Sequence, residues 1–209
     1  TPSPGLIASI REATDLPLHV LIRPRPGDFL YDSGEIAAMQ ADIAMAAALG
    51  ARGVVVGALD PEGEVHAPAM RTLLEAARPL AVTFHRAFDL ARDAGRALDA
   101  LLELGVERLL TSGQAATAEA GLPLLRTLAA RAGDRLRVMA GGGVTPANAA
   151  ALVREAGVRE IHLSARAPRP SAMRFTPEVR LSADDPAREQ LETDERVVRA
   201  VVEAVNGGG

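Results

Sequence analysis

A short unit recurs along this chain, and its spacing restricts the fold more than any other sequence feature. In each copy an apolar helical segment ends at a glycine, and a short link leads into a run rich in β-branched residues or leucine. Glycine suits the left-handed position that ends a helix, and runs that are apolar on both faces are typical of buried parallel strands. The copies lie at 47–60, 102–113, 129–143 and 153–165.

Two further strands, predicted at 16–23 and 79–88, extend the series to six. The strand centres are spaced 24 to 35 residues apart, at Val20, Val55, Thr83, Leu110, Val138 and His162. This interval leaves room for the crossover helix that joins parallel neighbours. We therefore predict an α/β fold, a TIM (β/α)8-type barrel that lacks its first β-α-β segment and keeps about six parallel strands. The alternative is an open doubly wound sheet, but no G-x-G-x-x-G follows the first strand.

The chain is predicted to form one domain over 1–209, with an irregular stretch at 166–190 and a closing helix at 193–205. The irregular stretch is rich in proline, serine and charge. Because the chain opens on Thr1 and a helix at 4–13 precedes the first strand, we expect an N-terminal segment to be missing. The open edges of such a sheet should expose apolar surface and favour pairing.

Composition excludes several classes of function. A net charge of −4 gives no reason to expect nucleic acid or an anionic membrane as a partner, and no apolar run reaches membrane-spanning length. All 23 basic residues are arginine, which rules out Schiff-base or pyridoxal phosphate chemistry on a lysine of this chain. The chain has no cysteine, so it contains no disulfide, thiolate nucleophile or thiolate metal ligand.

Polar residues follow the predicted strands at their carboxyl ends, where β/α barrels hold their active sites. His85 is a candidate general base or metal ligand, with Arg86 and Asp89 setting its charge. The alternative is a histidine that is hydrogen-bonded inside the barrel. We expect His162, two residues before its strand end, to be buried and satisfied.

An anion site is predicted at the same end of the sheet. Guanidinium groups bind carboxylate or phosphate in a forked geometry, although Arg23 and Arg25 have the alternative of pairing with Asp28 or Asp60. The segments 112–114 and 141–143 offer approachable backbone N–H groups, and the second leads through Thr145 into a predicted helix. We place the anion between Gly141–Gly143 and Ser164–Ala165. The predicted anion-binding residues are Arg23, Arg25, Ser112, Gly113, Gln114, Gly141, Gly142, Gly143, Ser164 and Ala165.

The strings around these strand ends, taken in order, resemble the copper homeostasis protein CutC family. Nearly the whole chain takes part, and the pair FHRAFD with LTSGQ is the most specific element. The matching strings include HVLIRPRPGDFLY (19–31), VVVGALDPEGEV (54–65), AVTFHRAFD (81–89), RLLTSGQ (108–114), GGGVTPANAAAL (141–152) and EIHLSA (160–165).

The resemblance implies an eight-stranded TIM barrel in the cytoplasm, often a homodimer, with a role in copper homeostasis and copper binding. Family members begin with a strand, a helix and a second strand ahead of the segment TPS, and their cysteines lie mostly in that part. Copper(I) prefers sulfur ligands, of which only five methionines remain here, so we assign no metal ligand.

The residues themselves favour an alternative partner, a small anionic metabolite. They fit an enzyme acting on a phosphorylated or carboxylated compound at the carboxyl ends of the strands. A third possibility is a scaffold without catalytic activity, in which the charged groups at these strand ends pair with one another.

Overall fold

Six parallel strands form the centre of the molecule in a computed structural model that describes residues 1–175 and 189–207. They follow one another in the sheet in chain order, β1 to β6. The sheet curls into a half barrel, which confirms the predicted (β/α)8-type architecture with six strands. The strands are β1 His19–Leu21, β2 Gly53–Val56, β3 Ala81–Phe84, β4 Arg108–Thr111, β5 Arg137–Gly141 and β6 Glu160–His162.

Helices connect the strands and cover one face of the sheet. Along β2, Val54 and Val56 are buried in the core beneath these helices, while Val55 faces the opposite, concave side. The same alternation continues in β3, where Phe84 belongs to the core and Thr83 to the concave face. The helices are α1 Pro4–Ala13, α2 Ser33–Ala48, α3 Ala67–Ala77, α4 Ala94–Leu104, α5 Leu122–Ala132, α6 Ala149–Ala156 and α7 Glu195–Asn206.

Local sequence signals set the ends of these helices. A capping box begins α2, because Asp32 accepts from the backbone N–H of Glu35 and Glu35 accepts from that of Asp32. Gly105 and Gly157 follow α4 and α6 with φ angles of +71° and +67°, as predicted for glycines that end helices. In the described part of the chain, no helix combines the length and the apolar character needed to cross a membrane.

The stretch at 166–190 is not irregular throughout, which corrects the sequence prediction. Strand β7 (Arg166–Pro170) pairs antiparallel with β8 (Glu189–Thr193), and α7 follows; residues 176–188 lie outside the described residues. Proline suggested an irregular chain because it cannot donate a backbone hydrogen bond. In a two-stranded ribbon half of the N–H groups point away from the partner, so Pro168 and Pro170 fit there.

The helix after the glycine run also begins later than predicted. Thr145 does not cap it, because its backbone N–H donates to Oδ1 of Asn148 at 2.8 Å and closes a turn. The helix α6 starts only at Ala149. The N–H groups of its first turn are therefore separated from Gly141–Gly143 by this turn.

Candidate functional site

The concave face of the half barrel encloses a cavity of about 700 Å³. Apolar side chains form its middle, among them Val55, Leu110 and Met139. Four polar side chains line its carboxyl end: Arg23, His85, Arg86 and His162. A separate cavity of about 450 Å³ lies at the amino end of β5 and contains none of the predicted site residues.

An ion pair lines the amino end of the main cavity. Arg108 and Glu160 form a two-pronged pair there, with side chains only 13% and 24% exposed. Arg108 also reaches Oγ1 of Thr83 at 3.5 Å. These charges neutralise one another at the end of the barrel that serves stability rather than chemistry.

His85 follows β3 and turns its ring into a space left by the glycine that follows β2. A Cβ atom at Gly57 would lie 2.6 Å from this ring, so only glycine leaves enough room. The Phe29 ring packs against the imidazole at a centroid distance of 4.7 Å. Burial, with a smaller contribution from the charge of Arg23, lowers the pKa of His85 to about 4, so the ring is neutral at physiological pH.

The hydrogen bonds of His85 determine which nitrogen carries the proton. Nδ1 accepts from the backbone N–H of Ala87 at 3.1 Å, so the neutral ring carries its hydrogen on Nε2. Nε2 is buried and has no hydrogen-bond partner among the described residues. His85 therefore presents a donor to the cavity. The predicted roles as general base or metal ligand do not fit, because both need a free lone pair.

Asp89 is the acceptor at the centre of a hydrogen-bond network, and its side chain is only 7% exposed. It accepts from Nε of Arg86 at 2.6 Å and from the Oγ1 hydroxyl of Thr111. It also accepts from the backbone N–H of Ser112 at 3.1 Å and from that of Gln114 at 3.2 Å. With its lone pairs engaged in this way, Asp89 positions its neighbours rather than serving the predicted catalytic role.

The network also engages the backbone N–H groups of 112–114, which were predicted to bind an anion. Ser112 and Gln114 donate theirs to Asp89, and Gly113 donates to Oγ1 of Thr111 at 2.9 Å. The Ser112 side chain is fully buried, and its Oγ lies 2.6 Å from the carbonyl oxygen of Ala115. This segment is satisfied internally and does not face a ligand.

Arg86 keeps one amino group free of these bonds. Its Nε is bonded to Asp89 and its Nη2 donates to Oγ of Ser112 at 2.9 Å, while Nη1 has no acceptor among the described residues. Nη1 lies 3.2 Å from where a Cβ atom of Gly142 would stand. Gly142 and Gly143 have φ angles of +108° and +70°, and their N–H groups have no acceptor in the described chain. Gly141, at the end of β5, packs against Leu110 instead.

The two arginines after β1 take different roles. Arg25 bonds Glu35 at 2.5 Å, Asp28 at 3.0 Å and the carbonyl oxygen of Leu30 at 2.7 Å, so it pairs internally and is not an anion clamp. Arg23 lines the cavity with its guanidinium 4.6 Å from the centre of the Phe29 ring. Its Nη2 donates to the carbonyl oxygen of Gly27, and its buried Nε has no partner among the described residues.

Ser164 and Ala165 do not line this cavity. The carbonyl oxygen of Ser164 accepts from Thr193, and that of Ala165 accepts from the backbone N–H of Asp194. Both residues connect the sheet to the β7–β8 hairpin and α7. The predicted anion site between Gly141–Gly143 and Ser164–Ala165 is therefore incorrect in its second half, where Arg86 faces the glycines instead.

The sequence reasoning missed Phe29 as a contributor to the site and misjudged the burial of His162. Phe29 lies between Arg23 and His85, and nothing in the local pattern distinguishes it from a core residue. His162 is exposed to the cavity rather than buried, and it forms no hydrogen bond among the described residues. Partial burial and the charge of Arg86 lower the pKa of His162. Strand alternation does place His162 on the cavity side, since Ile161 packs against the core; the error concerns its burial.

The side chains that could bind a metal ion do not cluster into a metal site in the described part of the chain. Within residues 1–175 and 189–207, no group of three or more His, Cys, Asp or Glu side chains is placed to hold a metal ion. The two histidines that line the carboxyl end of the cavity are His85, whose Nδ1 lone pair is used, and His162. Copper(I) in particular favours sulfur, and the chain has no cysteine.

Comparisons with known proteins identify the family. The CutC family model matches residues 1–167. A family protein CutC from Klebsiella pneumoniae is 52% identical over 190 residues, which cover 90% of this chain and 76% of that protein. One from Xanthomonas campestris pv. campestris is 50% identical over 168 residues, which cover 80% of this chain and 70% of that protein.

A solved structure agrees with this relationship. The crystal structure described as a copper homeostasis protein CutC from Streptococcus agalactiae has a TM-score of 0.74 and 32% identity to this chain. The match covers 78% of this chain and 80% of that one. Sequence and fold therefore lead to one conclusion: the chain belongs to the CutC family.

Proposed function

We propose that this CutC family member binds a small phosphorylated or carboxylated metabolite at the carboxyl end of its half barrel, in the cytoplasm. The anionic group of the metabolite contacts Arg86 and the backbone N–H groups of Gly142 and Gly143. The observation that carries this proposal is the fixed guanidinium of Arg86. Asp89 and Ser112 hold two of its nitrogens, and Nη1 is left facing Gly142.

The chemistry of this corner suits an anion. A guanidinium stays ionised at any working pH and offers forked donors to a carboxylate or phosphate. Backbone N–H groups in a turn create a concavity that favours anions, and those of Gly142 and Gly143 have no acceptor among the described residues. Because Asp89 already orders Arg86, little side-chain entropy is lost when an anion binds.

Copper is an alternative ligand, because the relative from Streptococcus agalactiae is described as a copper homeostasis protein. For this chain copper would be cargo, and the described residues do not supply a matching donor set. The free donors of the site are N–H groups, which attract anions rather than cations. We therefore base the proposed function on the anion.

The proposal is tested by the melting temperature at constant ionic strength, with phosphate added against a chloride background. A ligand that binds only the folded state stabilises it saturably, by about 2.7 kcal/mol at 100 times Kd. For a chain of this size such a gain raises the melting temperature by about 5–10 °C. The variant Arg86→Gln should lose this rise.

Arg131→Gln is the matched control. Arg131 is half-exposed, pairs with Asp99 on the surface and lies outside the cavity lining, so this variant changes the net charge equally. It should keep the full response to phosphate. If Arg86→Gln responds to phosphate as strongly as Arg131→Gln, the effect is non-specific screening and the proposed site is wrong.

A further inference from the structure

We infer that the same cavity has a second subsite, formed by Nε2–H of His85 and Nε–H of Arg23, which binds a carbonyl or carboxylate oxygen. This inference rests on the proposed function and names its substrate class. The ligand has two acceptor ends, one phosphate or carboxylate at Arg86 and one carbonyl or carboxylate oxygen at His85. Small phosphorylated carboxylic or oxo acids have this form.

The first observation is the unpartnered nitrogen of His85. The side chain is 5% exposed, lines the cavity and has no acceptor for its Nε2–H among the described residues. Folded proteins rarely leave a buried donor without a partner, and the exceptions are concentrated at functional sites. The acceptor that completes His85 therefore comes from a molecule in the cavity.

The second observation is independent and concerns Arg23. Its Nη2 is anchored on the carbonyl oxygen of Gly27 at 2.7 Å, and its guanidinium packs over the face of Phe29. These contacts fix its orientation. Its Nε is nevertheless buried without a hydrogen-bond partner among the described residues, although Arg23 lines the same cavity as His85.

Phe29 contacts both His85 and Arg23 and lines the same cavity. Its ring centre is 4.7 Å from that of His85 and 4.6 Å from the guanidinium carbon of Arg23. Both free groups donate and neither accepts, so this subsite selects an oxygen acceptor and disfavours a hydroxyl or amine in the donor role. The positive charge of Arg23 favours a carboxylate over a neutral carbonyl.

The two subsites share the carboxyl end of the sheet, and their outer members follow distant strands. Arg23 follows β1, whereas Gly142 follows β5 and His162 ends β6. Arg86 and His85 are neighbours in the chain and line the cavity together. A ligand that reaches both therefore spans this end of the cavity, which a single inorganic anion does not.

The test compares binding of orthophosphate with binding of phosphoglycolate and 3-phosphoglycerate, two probes with a phosphate and a carboxylate end. Isothermal titration of the full chain should give a Kd at least tenfold lower for one of the two-ended probes. Arg23→Gln should remove this advantage and bring the Kd of the two-ended probes to that of orthophosphate. If neither probe binds more tightly than orthophosphate, the second subsite is refuted.

A spectroscopic measurement needs no variant and reports on His85 directly. In long-range ¹H–¹⁵N spectra of ¹⁵N-histidine-labelled protein, His85 should show a neutral ring with its hydrogen on Nε2 at pH 7. The tighter two-ended probe should shift the Nε2 resonance of His85, and orthophosphate should not. Tighter binding without this shift would also overturn the inference. Failure of orthophosphate to stabilise the protein would instead count against the proposed function.

Discussion

Replacing Asp89 by alanine should destabilise the fold strongly, because this side chain accepts hydrogen bonds from backbone groups that have no other partner in the described part of the chain. The N–H groups of Ser112 and Gln114 would lose their acceptor. An unsatisfied buried N–H costs about 1–3 kcal/mol, so two such groups cost about 2–6 kcal/mol. Gln114 is only half-buried, and the Ser112 hydroxyl retains its hydrogen bond to the carbonyl oxygen of Ala115. We therefore expect the free energy of unfolding to fall by about 2–4 kcal/mol.

Urea unfolding followed by circular dichroism measures this loss as a lower midpoint. Asp99→Ala is the matched control, because Asp99 is half-exposed and pairs only with Arg131 on the surface. It should cost less than about 1 kcal/mol. Asp89→Asn, which keeps one acceptor oxygen, should fall between the two. If Asp89→Ala unfolds at the wild-type midpoint, Asp89 does not hold this loop, and its predicted catalytic role becomes the better explanation.

Three further predictions concern the same end of the barrel. Burial lowers the pKa of His85 to about 4, so the unfolded chain takes up its proton first as the pH falls. The neutral ring contributes about 3 kcal/mol at most to the free energy of unfolding, and this contribution is present above pH 6.5 and lost towards pH 4. Between these pH values the urea midpoint should therefore fall less on acidification in His85→Gln than in wild type. Gly142→Ala places a Cβ atom 3.2 Å from Nη1 of Arg86 at a φ of +108°. We expect a loss of about 1–3 kcal/mol and weaker phosphate binding, measured by thermal melting and titration; an unchanged phosphate affinity would contradict the placement of Arg86. Copper(I) should bind weakly in competition with a chelator, and tight stoichiometric binding would show that the ligand analysis is wrong.

The strand series was predictable because its signals are local. A glycine after an apolar helix, followed by a short apolar run, fixes each element within about ten residues of chain. All six predicted strand centres lie inside observed strands. Alternation along a strand also predicts which side chains face the cavity. It predicts this for five residues, of which four line the cavity (Arg23, Thr83, His85 and His162) and one, Ser164, does not.

The hydrogen-bond partners were not predictable, because they depend on contacts between distant segments. The N–H groups at 112–114 look free in the sequence, and the carboxylate that engages Ser112 and Gln114 is Asp89, more than twenty residues earlier. Arg25 shows the same limit in part: its pairing with Asp28 was one of the predicted alternatives, whereas its bond to Glu35, in the first turn of α2, was not predicted. The β7–β8 pairing is also non-local, which is why a proline-rich segment was predicted to be irregular.

The fit between Gly57 and the His85 ring has an evolutionary consequence. Gly57 has no positive φ and is not required to be glycine by its backbone; it is small because the imidazole occupies the volume a side chain would need. A mutation to any larger residue at 57 must displace the ring that carries the Nε2–H donor. Positions 57 and 85 should therefore change together or not at all among descendants of this gene. Selection for the histidine thus constrains a residue that follows the neighbouring strand and does not itself touch a ligand.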